Sequence, residues 1–246
     1  MTYAVRTFGF VFVLGGCLSG SIHSRAKEHV YYCARYVTAG AFEQAASRCE
    51  MALEYGDHYA EAHNLLGQVS MAAGDRVSAE RRFKRAIALR PDFAEAFNNL
   101  GVLKQKGGEF DAARALYEQA LEVDPDYNIA RSNLAAVQRR LGETKDAQET
   151  YRRCLENDAT DCECRMGQGA LAAQAGELLE ARIEFERATL SCPQDVEAHR
   201  NLCWAMLKLG ELGSAQASCN RALALRPDHP EARDLLNAAQ QRLAER

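Results

Sequence analysis

The sequence predicts an all-α fold built from stacked pairs of antiparallel helices. The first observation behind this prediction is an internal period of 34 residues, which six consecutive blocks repeat without a gap between residues 26 and 229. The second is Gly at the fifteenth position of every block, as expected where one helix ends in a left-handed turn before the next begins. The third is Ala at the twentieth position of every block, where a small side chain lets two helices approach closely. The blocks begin at Ala26, Ala60, Ala94, Asn128, Cys162 and Val196.

Three further features describe how each predicted helix pair meets and where the array ends. The eighth position is small in all six blocks: Cys33, Gly67, Gly101, Ala135, Gly169 and Cys203. The twenty-fourth position of the four middle blocks is aromatic: Phe83, Tyr117, Tyr151 and Phe185. Four blocks have Pro at position thirty-two, where a helix start tolerates the missing N–H: Pro91, Pro125, Pro193 and Pro227. After Pro230, apolar residues at helical spacing predict a capping helix over residues 230–246.

This pattern resembles the tetratricopeptide repeat, whose Leu, Gly, Ala, aromatic, Ala and Pro signature is matched over about five-sixths of the chain. The resemblance implies a right-handed superhelical solenoid of six tetratricopeptide repeats over residues 26–229, followed by the capping helix. The departures are local. Only Phe97 supplies the aromatic side chain expected at the fourth position, and Asp57 and Ala159 replace the proline in the first and fourth blocks.

The N-terminus has the pattern of an export signal. Arg6 precedes an apolar stretch over residues 8–14, and small residues follow it. The stretch is about half of the roughly 20 residues that a membrane-spanning helix needs, so no transmembrane anchor is predicted.

The segment Leu14-Gly15-Gly16-Cys17 resembles the lipobox of bacterial lipoproteins. The resemblance implies a signal peptide over residues 1–16, a lipid on Cys17 and a short tether over residues 17–25. Residues 18 and 19 are Leu and Ser, without the Asp that in enteric lipoproteins favours inner-membrane retention. The resemblance therefore implies the periplasmic face of the outer membrane, with the inner membrane as the alternative. An ordinary secretory signal with an incidental cysteine is the other interpretation.

The composition and the motifs favour protein binding over catalysis or nucleic-acid binding. Lys plus Arg total 30 against 34 Asp plus Glu, and the resulting net charge of −4 argues against nucleic acid as a ligand. There is no phosphate-binding Gly-rich loop and no nucleophile elbow. The sequence therefore predicts no catalytic residue, cofactor, resident metal or small-molecule substrate. Three of the six histidines occupy the fourth position of a block, where packing is expected: His29, His63 and His199.

Eight of the nine cysteines fall after residue 30, in the repeats. Cys33 and Cys49 occupy positions eight and twenty-four of the first block, and Cys203 and Cys219 occupy the same positions of the last. In the middle blocks these positions hold a small and an aromatic residue that face each other, so each cysteine pair is expected to form a disulfide. The oxidising compartment of an exported protein permits this.

The other four cysteines fall at the junction of the fourth and fifth blocks. Antiparallel helices would bring Cys162 near Cys192, which leaves Cys154 to pair with Cys164. Bonding of Cys154 to Cys162 and of Cys164 to Cys192 is the alternative pairing. A zinc site made of the same four thiolates is the rival interpretation.

The remaining functional feature is a concave groove, which the resemblance implies along the first helix of each repeat. Asn and Gln side chains there could bind a peptide backbone, while Val and Met offer apolar contacts. Trp204 is the leading single candidate, as a typical hot-spot residue, or else it is buried under the capping helix. Each candidate could instead face solvent or pack locally. The partner-binding candidates are Val30, Val37, Asn64, Gln68, Met71, Asn98, Val102, Gln105, Arg139 and Trp204.

A lipid-anchored array of six such repeats resembles the pilotins of type IV pili, the Tgl-like and PilF/PilW-like lipoproteins. The resemblance implies a secretin subunit as the protein partner, attachment to the membrane through the N-terminal lipid, and help for the secretin in outer-membrane assembly and oligomerisation. A periplasmic adaptor for other envelope machinery, such as outer-membrane protein assembly or cell-wall hydrolase docking, is the alternative.

Overall fold

The structure, a computed structural model, describes the backbone of residues 15–245 and the side chains of residues 24–245. The predicted export signal therefore lies largely outside the described residues, as does the side chain of Cys17. Thirteen α-helices and no strand occur within residues 15–245, which confirms the predicted all-α fold. None of the described helices is both long enough and apolar enough to cross a bilayer.

The chain divides into two compact units, one ending at Leu103 and the other beginning at Lys104. Five helices begin in the first unit: α1 (Gly15–Thr38), α2 (Phe42–Glu54), α3 (Ala60–Ala72), α4 (Arg76–Leu89) and α5 (Ala94–Lys106), whose last turn falls in the second. The second unit continues with α6 (Phe110–Val123), α7 (Asn128–Leu141), α8 (Thr144–Asn157), α9 (Cys162–Ala175), α10 (Leu178–Ser191), α11 (Val196–Leu209), α12 (Leu212–Leu225) and α13 (Pro230–Ala244).

Five of the six predicted blocks begin where a helix begins, since α3, α5, α7, α9 and α11 start at the first residue of their blocks. The first helix differs. It begins at Gly15, so residues 17–25, which were expected to form a tether, are helical in the structure. The helix expected over residues 230–246 is α13, with Pro230 in its first turn and Ala239 buried on its inner face.

The turn within each helix pair depends on the glycine at position fifteen. All six glycines, Gly40, Gly74, Gly108, Gly142, Gly176 and Gly210, have φ between 70° and 82°, the left-handed region that L side chains rarely adopt. The glycines thus end the first helix of each block, as predicted.

Close contact between positions eight and twenty-four joins the two helices of a pair. A Cβ built on Gly67 would lie 2.5 Å from the Phe83 ring, and one built on Gly169 would lie 2.6 Å from the Phe185 ring. Both rings are buried. In the first repeat the same two positions hold the disulfide between Cys33 and Cys49, whose Cα atoms are 5.4 Å apart. The terminal repeats therefore replace a ring contact with a covalent bond.

In three of the helix pairs, a polar contact between two residues that are nineteen positions apart in the sequence adds a second link. Arg48 approaches the Nδ1 atom of His29 at 3.4 Å, and Arg82 approaches Nδ1 of His63 at 3.3 Å. In the fifth block Arg165 donates to the buried carboxylate of Glu184 at 2.9 Å. Two of the position-four histidines thus pack against a neighbouring helix, as expected from the sequence.

Candidate peptide-binding surfaces

The first unit carries a groove between α1, α3 and the start of α5, which we call the N-terminal groove. It encloses about 310 Å³. It brings together four of the residues predicted to bind a partner, Val30 and Val37 from α1 with Asn64 and Gln68 from α3. Its lining also includes Ala34, Thr38, Glu61, Leu65, Phe93 and Glu95. Met71, a fifth candidate on α3, is half-buried and lies outside this lining.

One side of the N-terminal groove is apolar. Val30, Val37 and Leu65 are partly buried and pack against the hydrophobic core of the first two repeats. Phe93, which precedes α5, is 9% exposed, and the Arg90 guanidinium lies 3.5 Å from its ring centroid. Because these side chains are held by the core below them, an apolar group entering the groove meets a preformed surface.

The amide side chains of the groove are already hydrogen-bonded within the protein. Asn64 donates from Nδ2 to Oε1 of Glu95 at 2.9 Å, and Gln68 donates from Nε2 to the same oxygen at 3.1 Å. The Oδ1 atom of Asn64 accepts a bond of 3.0 Å from Asn99. Asn64 is 1% exposed and Asn98 is 4% exposed. Asn64 thus joins α3 to α5, whereas Asn98 donates to Asn99 of its own helix. Both asparagines are buried and hydrogen-bonded within the protein, in contrast to the expectation that they bind a peptide backbone.

The two carboxylates that line the N-terminal groove differ in their ionic partners. Glu61 forms an ion pair with Arg90 at 2.6 Å. Glu95 forms no ion pair with any side chain in the described part of the chain. Its two hydrogen bonds there come from the neutral amides of Asn64 and Gln68, and both end on the same oxygen. Glu95 is therefore the uncompensated negative charge of the groove.

Glu95 was absent from the residues proposed from the sequence, although a signal for it exists. The second position of a block faces the predicted groove, and four blocks have Glu there: Glu61, Glu95, Glu163 and Glu197. The repeat pattern does not show which of these carboxylates has a cation beside it. That depends on side chains about thirty residues away, such as Arg90 for Glu61.

Two candidates at position twelve face the core of their own repeat. The Tyr117 hydroxyl donates to Oε1 of Gln105 at 2.8 Å. Arg139 is half-buried and hydrogen-bonds Tyr151, whose pKa is raised by burial although Arg139 opposes that shift. Gln105 and Arg139 thus satisfy buried phenols, a role that their groove-facing register did not reveal. Val102, on the same helix as Gln105, is half-buried.

Trp204 contributes to the hydrophobic core at the C-terminal end. It is partly buried and packs against the same core cluster as Leu235 and Leu236 of α13. Trp204 therefore packs beside the capping helix, which is the second of the two roles that the sequence left open for it.

A second concave surface lies between α7 and α9 in the second unit and encloses about 410 Å³. Ile129, Ser132, Tyr151, Asp161 and Glu163 are among its lining residues. Desolvation of the Glu163 carboxyl raises its pKa, and the negative charges of Asp195 and Asp161 add to that shift. None of the ten candidate residues lines this surface.

The cysteines of the second unit form two disulfides. Cys203 is bonded to Cys219, with Cα atoms 5.3 Å apart, and Cys154 is bonded to Cys164, with Cα atoms 6.3 Å apart. Asp161 lies close enough to Cys154 and Cys164 to complete a group of metal ligands. Since the two sulfurs are bonded to each other, they are not thiolates that could bind zinc.

The fourth disulfide expected from the sequence is not formed, because Cys162 and Cys192 are thiols in the structure. The Cys162 thiol points to the Ala188 carbonyl oxygen, with its sulfur at 3.8 Å from that atom. Burial raises the pKa of Cys162, and a hydrogen bond with Cys192 and the charge of Asp195 raise it further. The thiol is accordingly held in its protonated, less reactive form.

Comparison with known proteins identifies the family. Three models of the tetratricopeptide repeat match residues 36–101, 92–159 and 166–230, which together make up most of the chain. The chain belongs to the tetratricopeptide-repeat family. No curated protein sequence matched it.

Solved structures of other tetratricopeptide-repeat proteins are similar to this fold. PilF of Pseudomonas aeruginosa is 18% identical, with a TM-score of 0.74 over 92% of this chain and 100% of its own. PilW, a widely conserved type IV pilus biogenesis factor, is 20% identical, with a TM-score of 0.74 over 86% of this chain and 98% of its own. YrrB, which has an unusual peptide-binding site, is 22% identical, with a TM-score of 0.54 over 77% of this chain and 98% of its own. At these identities the likeness is one of fold.

Proposed function

We propose that this chain is a non-enzymatic, lipid-anchored scaffold of the type IV pilus, a pilotin that assists outer-membrane assembly and oligomerisation of the secretin. The observation that carries the proposal is the likeness to PilF and PilW, which extends over at least 86% of this chain and 98% of theirs. The structural match thus covers nearly the whole of each comparison protein and most of this chain. PilW is a type IV pilus biogenesis factor.

The N-terminal groove supports the protein-binding part of the proposal. It offers a preformed apolar side and a fixed carboxylate, a combination suited to the side chains of an unfolded segment. Tetratricopeptide repeats are known for binding other proteins through such surfaces. The chemistry of the groove therefore favours a polypeptide partner.

The lipobox at Leu14–Cys17 supports the location. Two or more acyl chains give stable membrane attachment where one chain gives only marginal binding. Attachment to the periplasmic face of the outer membrane would confine the groove to a thin layer, which raises its effective concentration for a membrane-bound client. A bound client segment would also be kept from aggregating before the secretin assembles.

Deletion of the gene tests the proposal through the assembly state of the secretin. We expect a loss of heat- and detergent-resistant secretin multimers, with secretin monomers still present, and a loss of pili and of twitching motility. The wild-type gene should restore the multimers, and the Cys17→Ala variant should not, because it leaves the membrane fraction.

A Gly213→Ala variant serves as the matched control, since a Cβ at this exposed position meets nothing within 4 Å. It should restore the multimers fully. Normal secretin multimers and intact pili in the deletion strain would reject the pilotin role. A changed set of outer-membrane proteins or altered cell-wall hydrolysis in that strain would instead favour the adaptor role.

A further inference from the structure

We infer that the N-terminal groove recognises a segment in which a Lys or Arg side chain stands beside an apolar side chain, and that Glu95 binds the cation. The inference rests on the protein-binding part of the proposed function and adds the chemistry of the bound segment.

The charge of the groove points to a cationic group. Of its two carboxylates, Glu61 is neutralised by Arg90 at 2.6 Å. Glu95 is exposed, and both of its hydrogen bonds from Asn64 and Gln68 end on Oε1. The second oxygen, Oε2, has no partner among the side chains that the structure describes. An incoming ammonium or guanidinium group would thus find a carboxylate oxygen that nothing in the groove already binds.

The amide contacts fix the position of this carboxylate. Asn64 is itself held by Asn99 at 3.0 Å and is almost completely buried, so its Nδ2 group is a rigid donor. Neutral donors restrain the carboxylate and leave its net charge in place. Since the side chain is ordered before binding, less conformational entropy is lost when a cation pairs with it.

The apolar half of the recognised segment follows from the hydrocarbon side chains that line the same groove. Val30, Val37 and Leu65 contribute hydrocarbon surface to the same 310 Å³ that Glu95 lines. This space suits one or two side chains of an extended or helical segment. A cation next to an apolar residue satisfies both sides, whereas an acidic residue at the same place would meet the Glu95 charge.

Peptide binding to the full-length, detergent-solubilised protein tests this chemistry. Three fluorescein-labelled peptides with the same Val- and Leu-rich sequence would carry Lys, norleucine or Glu at one central position, and fluorescence anisotropy would give each Kd. We expect the Lys peptide to bind more tightly than the norleucine peptide by roughly twofold to fivefold, the range of an exposed ion pair. The Glu peptide should bind more weakly than both.

The decisive variant is Glu95→Gln, which keeps an oxygen to accept from Asn64 and Gln68 and removes the charge. It should abolish the preference for Lys over norleucine and leave the norleucine Kd unchanged. Glu118→Gln, an exposed substitution on α6 with the same change in net charge, is the control and should retain the preference. Unchanged thermal unfolding of both variants would show that the fold is intact.

Equal Kd values for the Lys and norleucine peptides on the wild type, or no binding of any peptide, would overturn the inference. So would a Glu95→Gln variant that keeps the preference. These results are separate from the secretin assay. A charge preference that depends on Glu95 stands even if secretin multimers are normal in the deletion strain, and a failed preference does not affect the multimer result.

Discussion

The Cα atom of Gly169 faces the ring of Phe185 so closely that a Cβ built there would lie 2.6 Å from Cε1. Phe185 is 2% exposed and is surrounded by the core of the C-terminal repeats. The ring therefore cannot move aside without displacing its neighbours. This contact explains in physical terms why position eight of a repeat is small where position twenty-four is aromatic.

We predict that Gly169→Ala lowers the free energy of unfolding by about 1–3 kcal/mol, the usual cost of overpacking a core. Urea unfolding followed by circular dichroism measures the change. Gly213→Ala in α12 is the control, because its Cβ meets nothing and Ala is favoured in a helix by up to about 1 kcal/mol. Equal destabilisation by both substitutions would contradict the role of the ring contact.

The same geometry predicts that a disulfide and a ring contact can be exchanged. Replacing both Cys33 and Cys49 by Ala should cost about 3 kcal/mol, because the closed loop is lost. Replacing Cys33 by Gly and Cys49 by Phe recreates the pair seen at Gly67 and Phe83 and should recover part of that loss. Urea midpoints with and without reductant give the comparison. If reductant shifts the Gly/Phe variant as far as it shifts the wild type, the bond in the first repeat contributes nothing.

Acid should destabilise the first unit through His63. Burial lowers the pKa of His63, which is 2% exposed, although Asp57 opposes the shift through a contact of 2.9 Å to Nε2. Arg82 can only donate, so Nδ1 accepts and the folded protein holds the neutral ring. The unfolded chain therefore binds a proton at a higher pH than the folded chain does, and stability is lost as the pH falls below about 6.5.

The measurement for His63 is the free energy of unfolding at several pH values between 7 and 5. His63→Gln should flatten this dependence relative to the wild type, even though it lowers stability at pH 7 by removing the contact to Asp57. A variant profile that falls as steeply as the wild-type profile would show that another group is responsible.

The number of free thiols distinguishes the three disulfides of the structure from the four disulfides expected from the sequence. In a Cys17→Ser variant, eight cysteines remain, and the three disulfides of the structure leave Cys162 and Cys192 unpaired. Alkylation in denaturant before reduction should label two cysteines, and reduction should add six hydrogens to the intact mass. Because the Cys162 pKa is raised, its labelling in the folded protein should accelerate as the pH rises. A gain of eight hydrogens would instead show a fourth bond.

The repeat pattern predicted the helices well because each block contains its own local signals. Gly142 and Gly176, for example, end helices by a backbone conformation that is encoded at one position. The functions of groove residues were harder to predict, since a helical register shows which face a residue occupies and not how far its side chain reaches. Gln105 and Arg139 lie on the predicted face and yet extend back to tyrosines of their own repeats.

Charge compensation was the other feature that the pattern could not supply. Glu61 and Glu95 occupy the same position of adjacent blocks, but only Glu61 has an arginine within ion-pair distance. That difference depends on the fold around each carboxylate. Likewise, spacing alone could not decide among the pairings of Cys154, Cys162, Cys164 and Cys192, because all four lie at one junction.

Helix α1 runs without a break from Gly15 to Thr38, through the residues expected to form a tether. At a rise of 1.5 Å per residue, Val30 lies about 20 Å along the axis from residue 17. In the proposed lipoprotein this helix would act as a stiff spacer. A client in the same membrane would then have to present its segment at one height above the lipid surface, so partner choice would depend on geometry as well as on sequence.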